Sequence, residues 1–132
     1  MPTDDHQKPP KVAPKVKSAP KIRQMYWCDF PKDAQLPEFW KNRPVLVISY
    51  RHFLSGVATV VPITTNPQEG NKWAFPMKSS FNNKNSWAIC DKITTVAVSR
   101  LTPDKPVIMR VPEEEFNEIL ALVLDWLPKM PN

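Results

Sequence analysis

Glycine is nearly absent from this chain: 2 residues in 132, beside 16 prolines. That excludes a glycine-rich loop cradling phosphate on backbone N–H groups, and no Walker or dinucleotide pattern occurs. Much proline with little glycine points instead to stiff turns. Histidine and cysteine are as scarce, 2 of each. His6 stands near the N-terminus and His52 in a connection, while Cys28 and Cys90 lack the paired spacing of a zinc site, so neither a metal nor another cofactor is expected. Both cysteines fall within apolar strand patterns and read as buried thiols rather than a disulfide. No apolar run approaches the roughly 20 residues of a membrane span. No signal-peptide apolar segment precedes the first strand, so a cytoplasmic protein with no membrane contact is expected.

What is present is a proline- and lysine-rich start and a strand-rich remainder. Residues 1–22 hold five lysines against Asp4 and Asp5, and so carry most of the net charge of +5. They contain no aromatic residue and few apolar ones. The expected organisation is a disordered tail over 1–22 and one folded domain over 23–132.

Arg23 to Phe30 has the composition of a first strand. A proline-bounded loop, 31–37, follows. Pro44 to Tyr50 is a second strand, and its unbroken Val45-Leu46-Val47-Ile48 places it centrally. Val57 to Thr65 is a third. Lys72 to Met77 is an edge strand because of Pro76. Trp87 to Ile93 is another strand and carries Asp91 within it. Thr94 to Val98 continues, and Lys105 to Val111 is a last short strand. A helix over Pro112 to Leu127 follows, with Glu113, Glu114 and Glu115 at its positive end. Its apolar face is Phe116, Ile119, Leu120, Val123 and Leu127. Many short strands and one terminal helix predict a mainly β fold, a small closed or half-closed barrel.

The remaining chemistry is that of carboxylates, an arginine and hydroxyls. It suits metal-free RNA cleavage, which needs a base for the 2′-OH, positive charge at the phosphate and a proton for the departing 5′-oxygen. Arg43, at the mouth of the second strand, can clamp two phosphate oxygens. Thr64, at the end of the third, can orient a phosphate oxygen. Glu38 or Asp91 could be the base. Trp40 and Trp73 offer stacking faces for unpaired bases, with Lys41, Thr65 and Asn66 beside them for RNA contacts. Taken singly, each of these residues has an ordinary structural reading; only the combination is informative.

That combination is carried by Met25-Tyr26-Trp27-Cys28-Asp29-Phe30, Glu38 five residues before Arg43-Pro44-Val45-Leu46-Val47-Ile48-Ser49, Val61-Pro62-Ile63-Thr64-Thr65, Cys90-Asp91-Lys92-Ile93-Thr94-Thr95 and Ser99-Arg100-Leu101. It resembles the PemK/MazF family of toxins from bacterial type II toxin–antitoxin pairs. The resemblance implies an SH3-like barrel of the PemK/MazF/CcdB type with a C-terminal helix, a homodimer, and single-stranded RNA bound across the dimer face. It implies sequence-selective endoribonuclease (mRNA interferase) activity with a 2′,3′-cyclic phosphate product, and inhibition by a cognate antitoxin. Arg43 matches the family's catalytic arginine and Thr64 its catalytic threonine. Glu38 and Asp91 match acidic positions found in different members. The chain departs from the pattern at Arg23-Gln24, where members usually carry Gly-Asp or Gly-Glu. It departs again at Trp40 and Lys41, in a region that usually holds a glycine, and at Ile89, where some carry arginine. Alternatives are a catalytically inactive barrel that binds RNA or antitoxin, or a DNA gyrase poison. The last would use the end of the helix, where Trp126 lies but Pro128 and Pro131 cut the helix short.

Overall fold

A computed structural model describes residues 8–50, 52–79 and 83–131. The strands are β1 (Met25–Cys28), β2 (Arg43–Val47), β3 (Val57–Thr64), β4 (Ala74–Pro76), β5 (Trp87–Ile89), β6 (Thr94–Ala97) and β7 (Leu101–Thr102), followed by helix α1 (Glu113–Trp126). They form one antiparallel sheet in the order β4-β5-β3-β2-β1-β7, with β6 also paired to β3. The two ends of that path, β4 and β7, do not pair with each other, so the barrel is open rather than closed.

The unbroken apolar runs are explained by burial on both faces of the sheet. Side chains alternate along a strand, and here both sets are buried. Tyr26, Cys28, Val45, Val47, Val60, Val98 and Leu101 pack together as one cluster. Met25, Leu46, Val61 and Ile63 point the other way, into a second cluster with Phe116, Ile119 and Val123 of α1. Strand β3 is central. It pairs with β2 on one edge, Val45 opposite Pro62, and with β5 and β6 on the other.

That second edge is interrupted. Ile63 stands opposite Ala88, but Val60 stands opposite Thr94. Three steps along β3 are therefore answered by six on the partner. The interruption falls at Pro62, which has no N–H to donate to a ladder. The surplus forms a turn at Cys90 and Asp91. This corrects the expected strand from Trp87 to Ile93: β5 ends at Ile89, and Asp91 lies in the turn. The strand expected over Lys105 to Val111 is also absent. That segment pairs with the sheet as an isolated bridge, Gln24 to Arg110, and Asp104, just before it, accepts the Trp27 indole N–H at 2.9 Å.

The start of the chain joins the core earlier than expected. Val16 is buried in the first cluster, and Pro20 is buried as well. The Lys15 ammonium donates to the Ser99 carbonyl at 3.4 Å. His52 pairs through Nδ1 with the Pro20 carbonyl and through Nε2 with the Ser49 hydroxyl, 2.6 Å each. Ser49 Oγ also accepts the Thr59 N–H at 2.8 Å. The expected disorder of residues 1–7 lies outside the described residues.

Helix α1 forms close to its predicted span, with Pro112 as the residue before its first turn. Glu115 is buried there. Its carboxylate accepts the N–H groups of Lys78 and Ser79, at 2.6 and 3.1 Å, and the Ser79 hydroxyl. Charge-assisted bonds of this kind are the strong ones, and they hold the segment after β4 against the helix.

Arg23 is held at φ 74, a left-handed conformation that disfavours any side chain with a Cβ. The fold needs it there: Arg23 N–H bonds Val47 O, and Arg23 O accepts Val111 N–H. This is the position where the resemblance expects glycine. The Arg23 guanidinium adds a 3.2 Å bond to Val111 O, which partly offsets the strain. Arg23→Gly relieves the backbone, whereas Arg23→Ala keeps the strain and loses the bond. We expect the glycine variant to be more stable than the alanine variant by about 1 kcal/mol in urea unfolding.

Burial of both free thiols gives a second expectation. Cys28 and Cys90 are fully buried, and desolvation raises each from 9.0 to about 12. Burial also raises Tyr26 above 10.0. From pH 9 to about 12 the unfolded chain therefore holds fewer protons than the folded one, and stability falls as pH rises. The urea midpoint should decline across that window. A Cys28→Ala/Cys90→Ala variant should show a shallower decline, whatever its absolute midpoint.

Candidate functional site

The β2–β3 pairing positions the first two candidates. Val45 faces Pro62. Continuing that register by two residues sets Arg43, the first residue of β2, across from Thr64, the last of β3. Both ends of the pair open onto one cavity of about 270 Å3, lined by Arg43, Thr64, Glu38, Trp40, Asn66 and Lys92 among others.

Arg43 is half-buried, and its Nε has no hydrogen-bond partner. Among the described residues it has no carboxylate within ion-pair distance. Its guanidinium lies 4.2 Å from the ring centre of Phe39. Burial lowers its pKa, but an arginine starts so high that it remains cationic. Thr64 is buried, 3 % exposed. Its hydroxyl oxygen accepts the Asn66 N–H at 3.2 Å, so its own hydrogen can be donated elsewhere.

Glu38 reaches the cavity from the loop between β1 and β2. Its carboxylate accepts the Gln35 N–H at 2.8 Å, and its own N–H donates to Gln35 O. Trp40 is 53 % exposed, with the Lys41 ammonium 5.9 Å from its ring centre. Of the remaining candidates, Lys41, Thr65, Trp73 and Asp91 do not line this cavity. Trp73 is half-buried in the turn before β4, beneath the Lys72 ammonium at 4.8 Å. Asp91 borders a neighbouring cavity, and its Oδ1 is buried without a hydrogen-bond partner.

Two residues that sequence reasoning did not single out complete the site. Phe39 packs against both the Arg43 guanidinium and the Lys92 ammonium, the latter 4.6 Å from its ring centre. Lys92 Nζ donates to Pro37 O at 2.9 Å and so fastens the loop to the turn after β5. The signal for Lys92 was its place directly after Asp91; the signal for Phe39 was weak, because an aromatic residue in a loop has no periodicity. Among the described residues, no cluster of histidine, cysteine or carboxylate side chains is placed to hold a metal ion. No helix among them is long and apolar enough to cross a membrane.

Residues 21–127 match the family described as PemK-like, MazF-like toxin of type II toxin-antitoxin system. Solved structures share the fold. MazF from Deinococcus radiodurans superposes with a TM-score of 0.63 at 16 % identity, covering 81 % of this chain and 94 % of that one. An endoribonuclease from a mycobacterial species, solved in complex with its cognate antitoxin, gives 0.60 at 22 % identity, covering 85 % and 100 %. The Mycobacterium tuberculosis toxin MazF-mt6 gives 0.59 at 21 %, covering 79 % and 95 %. Among curated proteins no sequence matches. Because the family match spans nearly all of the folded unit and the fold agrees with it, this chain belongs to the PemK-like, MazF-like toxins of type II toxin–antitoxin systems.

Proposed function

We infer that this toxin is a sequence-selective endoribonuclease that cuts single-stranded mRNA in the cytoplasm without a metal ion. It works as a homodimer and is restrained by a cognate antitoxin protein. One observation carries the reading: β2 and β3 present Arg43 and Thr64 to the same cavity, and among the described residues Arg43 has no carboxylate within ion-pair distance. A half-buried cation of this kind suits an incoming phosphate. That similar folds include an endoribonuclease bound to its antitoxin supports the partner assignment.

In this reading the Arg43 guanidinium donates to the non-bridging oxygens of the scissile phosphate, where negative charge builds in the transition state. Thr64 Oγ–H donates to one of the same oxygens, its oxygen being fixed by the Asn66 N–H. The 2′-oxygen attacks phosphorus, the bond to the 5′-oxygen breaks, that oxygen takes up a proton from water, and a 2′,3′-cyclic phosphate remains. Glu38 lines the cavity and takes the 2′-OH proton; Asp91 is the other carboxylate for that role. Trp40 offers an exposed ring for a base, with Lys41 and Asn66 near the backbone and Thr65 and Trp73 further along the surface.

A binding-only barrel is the second reading. It is favoured by the Glu38 carboxylate, which is already engaged with its own loop. Incubating the protein with long single-stranded RNA in excess EDTA separates the two. We expect discrete fragments ending in cyclic phosphate, and a loss of about 10²–10³-fold or more in Arg43→Ala, with Thr64→Val impaired less. Circular dichroism should show both variants folded. Undiminished cleavage by Arg43→Ala overturns the assignment, and bound but intact RNA establishes the binding module.

A further inference from the structure

Two cavities meet at the loop between β1 and β2. Behind the one that holds Arg43 and Thr64 lies a larger one of about 490 Å3. Pro37, Glu38, Phe39 and Lys92 border both and form the partition between them. The larger cavity falls within the range of about 300–1,000 Å3 usual for small-ligand sites.

Its walls are flat and mainly apolar: Phe30 and Phe39, with ring centres 6.2 Å apart, together with Pro31, Pro62 and Ile93. Its polar side chains are those of Asp91, Lys92, Thr94 and, on the partition, Glu38. Asp91 stands out because Oδ1 is buried and accepts no hydrogen bond. Such an acceptor is costly to leave unmet. On the other side of the partition Arg43 Nε is the matching case, a buried donor without an acceptor. Thus, among the described residues, one cavity borders an unpaired donor and the next an unpaired acceptor.

We propose that the larger cavity is a nucleobase subsite that selects guanine through the Asp91 carboxylate. This deepens the endoribonuclease reading and rests on it. An ionised carboxylate only accepts hydrogen bonds. Guanine presents two adjacent donors, N1–H and the N2 amino group, that match its two oxygens once the side chain turns Oδ1, which has no bond to lose, towards the cavity. Adenine and cytosine present one amino group beside a ring nitrogen that is itself an acceptor. Uracil presents one N–H between two carbonyls. Each of these sets an acceptor against a carboxylate oxygen. Lys92, on the partition, supplies a cation for the sugar-phosphate link between a base held here and the phosphate at Arg43. In this arrangement Asp91 is a specificity residue, and Glu38 is left as the base.

The test uses the full chain and a random pool of 2′-O-methyl RNA, which cannot be cleaved through its 2′-oxygen. Bound molecules are recovered and sequenced. We expect guanine enriched at one position by about ten- to hundredfold. Asp91→Asn carries one acceptor and one donor, and should move that enrichment to adenine or cytosine while total binding stays within a few fold. Arg43→Ala should bind the pool more weakly and keep the guanine preference. In cleavage of ordinary RNA, any cuts that Asp91→Asn makes should fall at altered sites. Pool binding without guanine enrichment, or enrichment unchanged in Asp91→Asn, overturns the subsite and leaves the nuclease reading intact. Loss of all cleavage by Asp91→Asn with enrichment unchanged also overturns it, and makes Asp91 the base. No binding of the pool by the unaltered chain overturns both readings.

Discussion

The antiparallel pairing of β2 with β3 is the constraint on which the rest depends. It is the central ladder of the sheet, with every side chain from Pro44 to Val47 and from Val60 to Thr64 buried. Because side chains alternate along a strand, a slip of one residue would turn Arg43 or Thr64 to the opposite face. The register is held against slipping by two packed surfaces at once. Val45 and Val47 belong to one cluster and Leu46 to the other, so no shifted pairing keeps both cores filled. The site thus inherits its geometry from burial rather than from bonds between the functional side chains themselves.

The second dependency is the break on the opposite edge of β3. Pro62 serves the β2 pairing but cannot continue a ladder toward β5 and β6, and the chain answers with extra residues at that point. The surplus turn carries Asp91 and Lys92 out of the sheet and up to the loop between β1 and β2. Lys92 then joins that loop twice, by a hydrogen bond to Pro37 O and by its charge over Phe39. One missing N–H on β3 therefore accounts for the wall that divides the two cavities.

Much of this was legible in the sequence, for identifiable reasons. The continuous apolar runs in 45–48 and 57–64 named the central strands, because few other structures bury every position of so short a segment. Helix α1 was readable from its spacing and its acidic first turn. Arg43 and Thr64 were legible because each sits at a strand end, where the pattern changes from apolar to polar. The turn at Cys90 and Asp91 was not legible, because Trp87 to Ile93 keeps a strand-like composition through a break imposed by its neighbour. Val16 was missed because two valines, Val12 and Val16, among lysines and prolines set no period that would reveal a core residue. Arg23 was visible only as a departure from a family pattern, and its left-handed backbone supplies the physical reason a glycine would be usual there.

The start of the chain also revises how the positive charge should be understood. Arg43 begins β2 and Thr64 ends β3, whereas Ser49 and His52 lie beyond the far end of β2, before β3 begins. His52 fixes Pro20 at that far end, and Val16 enters the sheet face away from α1. Of the lysines of the leading segment, Lys15 is held by its bond to the Ser99 carbonyl. At physiological ionic strength, charges separated by more than about 8 Å of solvent are largely screened. Two cationic side chains line the Arg43 cavity itself, Arg43 and Lys92. Both rest on Phe39, which lends each a favourable face while leaving the charge unneutralised. A carboxylate in that place would have stabilised the free protein more, and would have removed the charge that a phosphate requires.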